Sequence, residues 1–325
     1  MSATSIFQLA GTLLALFFGM LLFLKHYPRA ETESETKYKT NDGQGAVHEL
    51  PPRLTPEKET AEPNLEISVV VPSYNEKNRL SKMLDESVAF LELEYRGKYE
   101  ILIVDDASHD GTGEFALREA QRLDLAPHVM KVVTLVENRG KGGAVTHGVL
   151  HAQGKYLLFA DADGATRFSD VSKLLADIVP KKGPAVAIGS RAHMMDTDAV
   201  VKRLFVRNLL MYALHTLVFV FGIRHVQDTQ CGFKMFNRES AQMIFPHMHT
   251  ERWIFDVEIL LLAELQKIPI GEIAVNWQEI DGSKVDLAKD LIQMAIDLVV
   301  TRLAYVIGIY GIDECGKARK KRVEQ

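Results

Sequence analysis

Residues 159–164 read F-A-D-A-D-G and follow directly on the apolar run Tyr156-Leu157-Leu158. The run reads as a buried strand, which puts Asp161 and Asp163 at its C-terminal end. Alternate residues of an extended chain point to one side, so both carboxylates can address one spot. A hard divalent cation bridging two phosphates takes oxygen ligands from one or two carboxylates and from the phosphates themselves. The edge beyond the C-terminal ends of strands is also where open α/β sheets bind ligands. A strand-ending turn with solvated aspartates would read the same over these six residues, so the weight falls on the rest of the chain.

Two other strand ends carry suitable groups. Residues 69–76 read V-V-V-P-S-Y-N-E. Pro72 and Tyr74 can form a flat wall for a base, and Asn75 and Glu76 open the next helix, where negative charge is favoured anyway. Residues 103–112 read I-V-D-D-A-S-H-D-G-T. Asp105 or Asp106 can accept the imide N–H of a uracil, while Ser108 or Asp110 equally suits a helix cap. The loop N-R-G-K-G-G-A at 138–144 lets backbone approach closely, ahead of a helix N-terminus that attracts anions. Its spacing is not G-x-x-x-x-G-K-[ST], and no G-x-G-x-x-G follows the first strand, which disfavours an NAD(P) oxidoreductase.

The elements that must position these groups alternate. Residues 67–71, 100–104, 129–136, 155–159 and 185–189 read as strands, and 78–95, 113–125, 142–152 and 168–179 as helices. Strand–helix alternation predicts an α/β fold with a mostly parallel sheet flanked by helices. The chain has 325 residues and a formal net charge of -5, which argues against general nucleic-acid binding. Two cysteines far apart in sequence, Cys231 and Cys315, make neither a disulfide framework nor a zinc site.

Residues 5–24 carry no charge, and about twenty such residues span a bilayer as a helix. Lys25, His26 and Arg29 follow, which places the following domain on the cytoplasmic side. The expected organisation is an anchor at 1–25, a polar linker at 26–64, a catalytic domain at 65–284, and a C-terminal amphipathic helix with a basic tail at 285–325. The apolar stretches 204–223 and 291–312 are expected as amphipathic helices lying on the membrane.

In their order and spacing, these stretches resemble the inverting family-2 glycosyltransferases of GT-A fold. The likeness covers roughly residues 66–283. Farther on, G-S-R at 189–191, D-T-Q-C-G-F-K at 228–234, E-R-W-I-F-D-V-E at 251–258 and V-N-W-Q-E-I-D-G-S-K at 275–284 look closely like the dolichyl-phosphate β-glucosyltransferases within that family. The resemblance implies a Rossmann-like GT-A domain that transfers glucose from UDP-glucose to dolichyl phosphate at the endoplasmic reticulum membrane. Pro72, Tyr74 and Glu76 would hold the uridine, with Asp105 or Asp106 on its base. Arg139, Gly140, Lys141 and Ala162 would contact the nucleotide sugar. Asp161 and Asp163 would bind Mg2+ or Mn2+ on the diphosphate. Arg191 and Arg207 would grip the acceptor phosphate, for which a guanidinium fork is suited. Asp228, Gln230, Trp253 and Asp256 would line the sugar pocket, and Cys231 would only pack. A polyprenyl-phosphate mannosyltransferase using GDP-mannose is the alternative within the class, and a non-catalytic nucleotide-sugar-binding membrane protein the alternative outside it.

Overall fold

A parallel strand covered on both faces is apolar at consecutive positions, not alternate ones. Val69, Val70 and Val71 are all fully buried, as that rule requires. The computed structural model describes residues 3–43, 45–56, 63–194, 223, 225–280 and 287–312. Along the chain run α1 (Ala3–Leu24), β1 (Lys37–Lys39), β2 (Val47–Glu49), β3 (Leu65–Ser73), α2 (Leu80–Glu94), β4 (Tyr99–Asp105), α3 (Thr112–Arg122), β5 (Met130–Thr134), α4 (Lys141–His151) and β6 (Gly154–Ala160). Then follow α5 (Val171–Ile178), β7 (Val186–Ser190), β8 (Phe233–Asn237), α6 (Arg238–Ile244), α7 (Phe255–Leu265), β9 (Ile270–Ala274) and α8 (Leu287–Val306).

Among the described residues these strands form one sheet, ordered β2-β1-β5-β4-β3-β6-β8-β7-β9. The chain steps outward from β3 to β4 to β5, all parallel, then returns to lay β6 parallel on the other flank of β3. The order therefore reverses between β3 and β6, and a crevice opens at their C-terminal ends. β8 runs antiparallel to β6 and β7, with Ala160 opposite Phe233. Residues just before β8 thus reach the edge where β6 ends. Ile67, Val69 and Val71 pack with Leu84 of α2, Ala116 of α3 and Leu174 of α5 on one face. Val70, Leu102 and Val104 pack with Val149 of α4 and Ile259 of α7 on the other.

The opposite edge is tied by one buried carboxylate. Glu100 accepts from Ser68 Oγ at 2.6 Å, the Gln153 amide at 2.6 Å and Lys131 Nζ at 2.5 Å.

The structure departs from expectation in three places. Residues 26–64 do not read as a plain linker: β1 and β2 pair antiparallel, and Lys39 pairs with Val132 of β5. Tyr38, Leu50, Leu54 and a fully buried Glu35 fasten this strap to the domain. The strands β8 and β9 were not expected. Residues 291–312 do not form one surface helix. α8 ends at Val306, and Met294, Leu298, Ala304 and Tyr305 are buried, while Ile292 and Ile296 face outward. The uncharged N-terminal run is helical, with Leu16, Met20 and Phe23 exposed and Leu21 buried. Among the described residues no helix is long and apolar enough to cross a membrane. The expected helix at 204–223, with Arg207, lies outside the described residues apart from Ile223, as do Cys315 and the basic tail.

Removing one partner of a buried ion pair leaves an uncompensated charge and costs about 3–5 kcal/mol. Lys131→Met strands Glu100 in this way and is expected to destabilise the fold by that amount in a denaturant titration. A change below about 1 kcal/mol would contradict the role given to Glu100.

Candidate functional site

The carboxylates predicted at the end of β6 stand where the crevice opens. The Asp161 amide donates to the Gly232 carbonyl at 3.1 Å, and Lys141 Nζ lies 2.6 Å from Asp161 Oδ1. Gly232 is required here: a Cβ on it would fall 2.0 Å from Asp161 Oδ2. Asp163 accepts the Ala165 amide at 3.0 Å, and Arg79 Nη1 approaches its other oxygen at 3.9 Å. Burial, then the charge of Asp161, pushes the Asp163 carboxyl above its ordinary range. Burial alone would lower Lys141, but Asp161 and Asp256 outweigh it and hold the ammonium charged.

The loops after β3 and β4 are stitched together. The Asn75 amide donates to Ser108 Oγ, the His109 amide to Asn75 Oδ1, and the Glu76 amide to Thr112 Oγ1. Pro72 lies opposite Val104 and Ser73 opposite Asp105, so Pro72, the partly exposed Tyr74 and Asp105 meet at one strand edge. Glu76 receives both Nε and Nη2 of Arg79, at 2.7 and 2.6 Å. Arg79 thereby links the β3 loop to Asp163.

The two aspartates after β4 have different tasks. Asp106 accepts the Arg139 amide at 2.7 Å and the Gly140 amide at 2.9 Å. Burial still pushes it up to about 6 against those bonds. Both of its oxygens are spent on shaping the 138–140 loop. Asp105 spends one oxygen on the Ser108 amide at 3.1 Å, and burial raises it. Asp105 is therefore the better placed of the pair to face a base.

Gly140, at φ +84°, turns the chain into α4 with its missing Cβ against the Glu251 carbonyl. Arg139 does not reach the carboxylate pair. Its guanidinium is held by the Glu251 carboxylate and donates to the Arg29 carbonyl at 2.9 Å. Arg139 and Glu251 line a polar cavity of about 440 Å³ beside α8 that none of the predicted aspartates borders. Trp253 likewise packs on Ile254, Met294 and Leu298, drawn to α8 by apolar contact rather than to the crevice.

Across the crevice, Arg191 follows β7. Its Nε and Nη2 donate to the two oxygens of Asp228 at 2.7 and 2.8 Å, and its amide donates to Oδ2 at 2.9 Å. Burial alone would raise Asp228, but the Arg191 bonds and charge hold it below the ordinary carboxylate range. The guanidinium lies 5.4 Å over the Trp277 ring. Lys234 of β8, fully buried, donates to Asp256 at 2.5 Å and to the Cys231 carbonyl at 2.7 Å. Burial raises Asp256 even against Lys234 and Lys141. Burial also pushes the Cys231 thiol up to about 11, so it packs and does not attack. Ala162 is buried beside the pair, and Gln230 is exposed on the loop before β8.

The structure therefore joins Asp161, Asp163, Lys141, Arg191, Asp228 and Asp256 into one charged cluster. Arg79, Lys234 and Trp277 belong to it and were not singled out from sequence. Arg79 follows Glu76 by three residues, a spacing that pairs side chains on one helical turn. Lys234 is a cation flanked by apolar residues in a stretch already of interest. The donor set of Asp161 and Asp163 is all hard oxygen beside a cradle that a Cβ would fill, which fits Mg2+ or Mn2+.

Comparison with known proteins shows the family and the fold. Residues 68–245 match the family model described as Glycosyl transferase family 2. The chain is 49% identical over 314 residues to the dolichyl-phosphate beta-glucosyltransferase of Saccharomyces cerevisiae, covering 93% of each. It is 45% identical to the human protein of that name, covering 78% of this chain and 80% of that one. A crystal structure of Mycobacterium tuberculosis glucosyl-3-phosphoglycerate synthase with phosphoglyceric acid shares the fold at TM-score 0.51 and 20% identity, covering 73% and 80%. Another of that protein, with Mg2+ and uridine-diphosphate, has TM-score 0.51 and 17% identity, covering 74% and 79%.

A misplacement of about 1 Å costs about 10²-fold in rate. Gly232→Ala must displace the Asp161 carboxylate by such a distance, and a loss of about 10²-fold in transferase turnover is expected with the thermal transition little changed. Near-normal turnover would show that Asp161 need not sit against Gly232.

Proposed function

This chain belongs to glycosyl transferase family 2, among the dolichyl-phosphate beta-glucosyltransferases, and from that premise we propose how its residues take glucose from UDP-glucose to dolichyl phosphate. The observation that carries the reading is the Asp161–Asp163 pair at the β3/β6 switch point, with the Lys141 ammonium already on Asp161. Uridine lies along Pro72 and Tyr74, with Asp105 accepting its imide N–H. The diphosphate reaches the end of β6, where Asp161 and Asp163 hold Mg2+ or Mn2+. When bound, that cation neutralises charge on the departing UDP. Lys141 stands ready to exchange its partner from Asp161 to a phosphate oxygen as the site fills.

Asp228 holds the Arg191 fork, and Trp277 supports it from one face. Arg191 is thereby aimed to grip the acceptor phosphate, a role the family resemblance also gives to Arg207. Asp256 and Lys234 form the floor beneath the sugar. The acceptor oxygen attacks the anomeric carbon from the side opposite UDP, so the bond to carbon forms as the bond to the diphosphate breaks. Holding that line is the main catalytic demand. We place α1 at the endoplasmic reticulum membrane with the catalytic residues on the cytosolic side. Lys25, His26 and Arg29 after the helix, and the outward Leu16, Met20 and Phe23, support that placement.

The direct test incubates sealed microsomes with labelled UDP-glucose or GDP-mannose and dolichyl phosphate, then separates the lipid product. Glucose is expected on the lipid from UDP-glucose without detergent, and none with Asp163→Asn. Mannosyl lipid from GDP-mannose would favour the mannosyltransferase reading. Transfer only after detergent would reverse the topology. Undiminished transfer by Asp163→Asn would remove the metal assignment.

No general base is required. A phosphate monoester with a second pKa of about 6 is already anionic near neutrality. Asp228→Asn and Asp256→Asn are expected to slow turnover while keeping an acid limb near that pKa. Loss of the limb in one variant, or its rescue by formate, would make that residue the base.

A further inference from the structure

A second cluster lies toward the C-terminal end of α4, unused by the reaction above. His147 and His151 are one helical turn apart on α4 and both nearly fully buried. Glu31 of the strap reaches over them. We propose that Glu31, His147 and His151 form a structural site for a divalent transition metal of the zinc class, which clasps the N-terminal strap to α4.

The argument rests on which ring nitrogens are already committed. His147 Nε2 lies 3.0 Å from the Glu35 carbonyl, and His151 Nδ1 lies 2.6 Å from the Pro51 carbonyl. A carbonyl only accepts, so those two nitrogens carry the N–H. In the neutral rings, His147 Nδ1 and His151 Nε2 then present lone pairs. Both face Glu31 Oε2, at 3.7 and 3.2 Å. With both rings neutral, three electron-rich atoms therefore converge, all within 4.8 Å of one another. A cation is the group that such an arrangement takes. Metal-binding histidines almost always donate the second ring N–H to a carbonyl or carboxylate, as both rings do here.

The spacing suits the ion. Tetrahedral ligands about 2.0–2.2 Å from zinc lie about 3.3–3.6 Å apart, close to the separations of Glu31 Oε2 from the two rings. Two imidazoles and a carboxylate select a zinc-class ion, whereas the all-oxygen Asp161–Asp163 pair selects magnesium or manganese. The two sites are separate: at 1.5 Å per residue, His147 and His151 lie about 9–15 Å along α4 from Lys141. Glu31 keeps partial exposure, leaving water a fourth position. Arg53 Nη1, 3.6 Å from Glu31 Oε2, is the competing cation and is half-exposed.

The clasp would matter beyond the strap. Arg29, two residues from Glu31, gives its carbonyl to Arg139, and Glu35 accepts the Val136 amide. Both contacts brace the loop that leads into Lys141.

The test uses the full-length protein in detergent, stripped with chelator and titrated with Co2+ under excess Mg2+ to fill the aspartate pair. One Co2+ per chain is expected, with the intense visible absorption of a low-coordinate nitrogen–oxygen site. Binding should weaken at least about tenfold in His151→Gln and in Glu31→Gln, since even outer-shell losses cost 10–100-fold. Asp163→Asn should keep the band. If His151→Gln fails to fold, the partly exposed Glu31→Gln decides. No retained Co2+, a band unchanged in Glu31→Gln, or a band lost in Asp163→Asn would each overturn the site, the first two by leaving a proton or Arg53 as the cation on Glu31.

Discussion

Five carboxylates, those of Glu76, Asp161, Asp163, Asp228 and Asp256, meet where β3, β6 and β8 reach one edge of the sheet, and their mutual repulsion is what the surrounding structure must satisfy. Two like charges about 4 Å apart cost about 4 kcal/mol at the effective dielectric near a protein surface. The chain answers with cations from four separate elements: Arg79 at the start of α2, Lys141 at the start of α4, Arg191 after β7 and Lys234 within β8. Three of the aspartates sit within 2.5–2.8 Å of their cation, whereas Asp163 has Arg79 only at 3.9 Å. Its carboxyl is raised by burial and by Asp161. The deficit of positive charge is thus local to the Asp161–Asp163 pair, the place where a divalent cation and a diphosphate would meet.

Lys141 can fill its part only because the loop before α4 is held from three sides. Asp106 takes two loop amides, Glu251 takes the Arg139 guanidinium and, through its carbonyl, the Gly143 amide, and the strap supplies the Arg29 carbonyl. The strap is itself anchored by Glu35, fully buried and bonded to Arg29 and to the Thr32 and Val136 amides. Segments that look peripheral along the chain therefore set the position of a side chain in the charged cluster at the end of β6.

Much of this was legible in the residues. The valine run at 69–71 suits a doubly covered strand, and the aspartates directly after the runs at 101–104 and 156–160 fall at the sheet edge where α/β folds bind ligands. The D-x-D pair and the β3 and β4 loops followed from that logic, whereas the family likeness rested on the ordered series of motifs. Other features depend on long-range meetings that local pattern does not encode. The β1–β2 hairpin is two three-residue strands whose buried residue is a single tyrosine, Tyr38. The resemblance implies that Arg139 contacts the nucleotide sugar, while Glu251, 112 residues away, holds its guanidinium. The resemblance implies that Trp253 lines the sugar pocket, while the structure packs it against the apolar cluster that includes Met294 and Leu298 of α8. Lys234 sits in a strand too short and too apolar to announce a buried cation, and its partner Asp256 is 22 residues on.

The central claim is that Asp161 and Asp163 hold the divalent cation against the diphosphate of the bound nucleotide. It is tested most directly by electron paramagnetic resonance of Mn2+ on the protein with UDP labelled with 17O at the β-phosphate. The account predicts line broadening from the labelled oxygen in the unaltered protein, and loss of the bound-Mn2+ signal in Asp161→Asn and Asp163→Asn with the fold intact. Broadening that persists undiminished in both variants would place the cation elsewhere and contradict it.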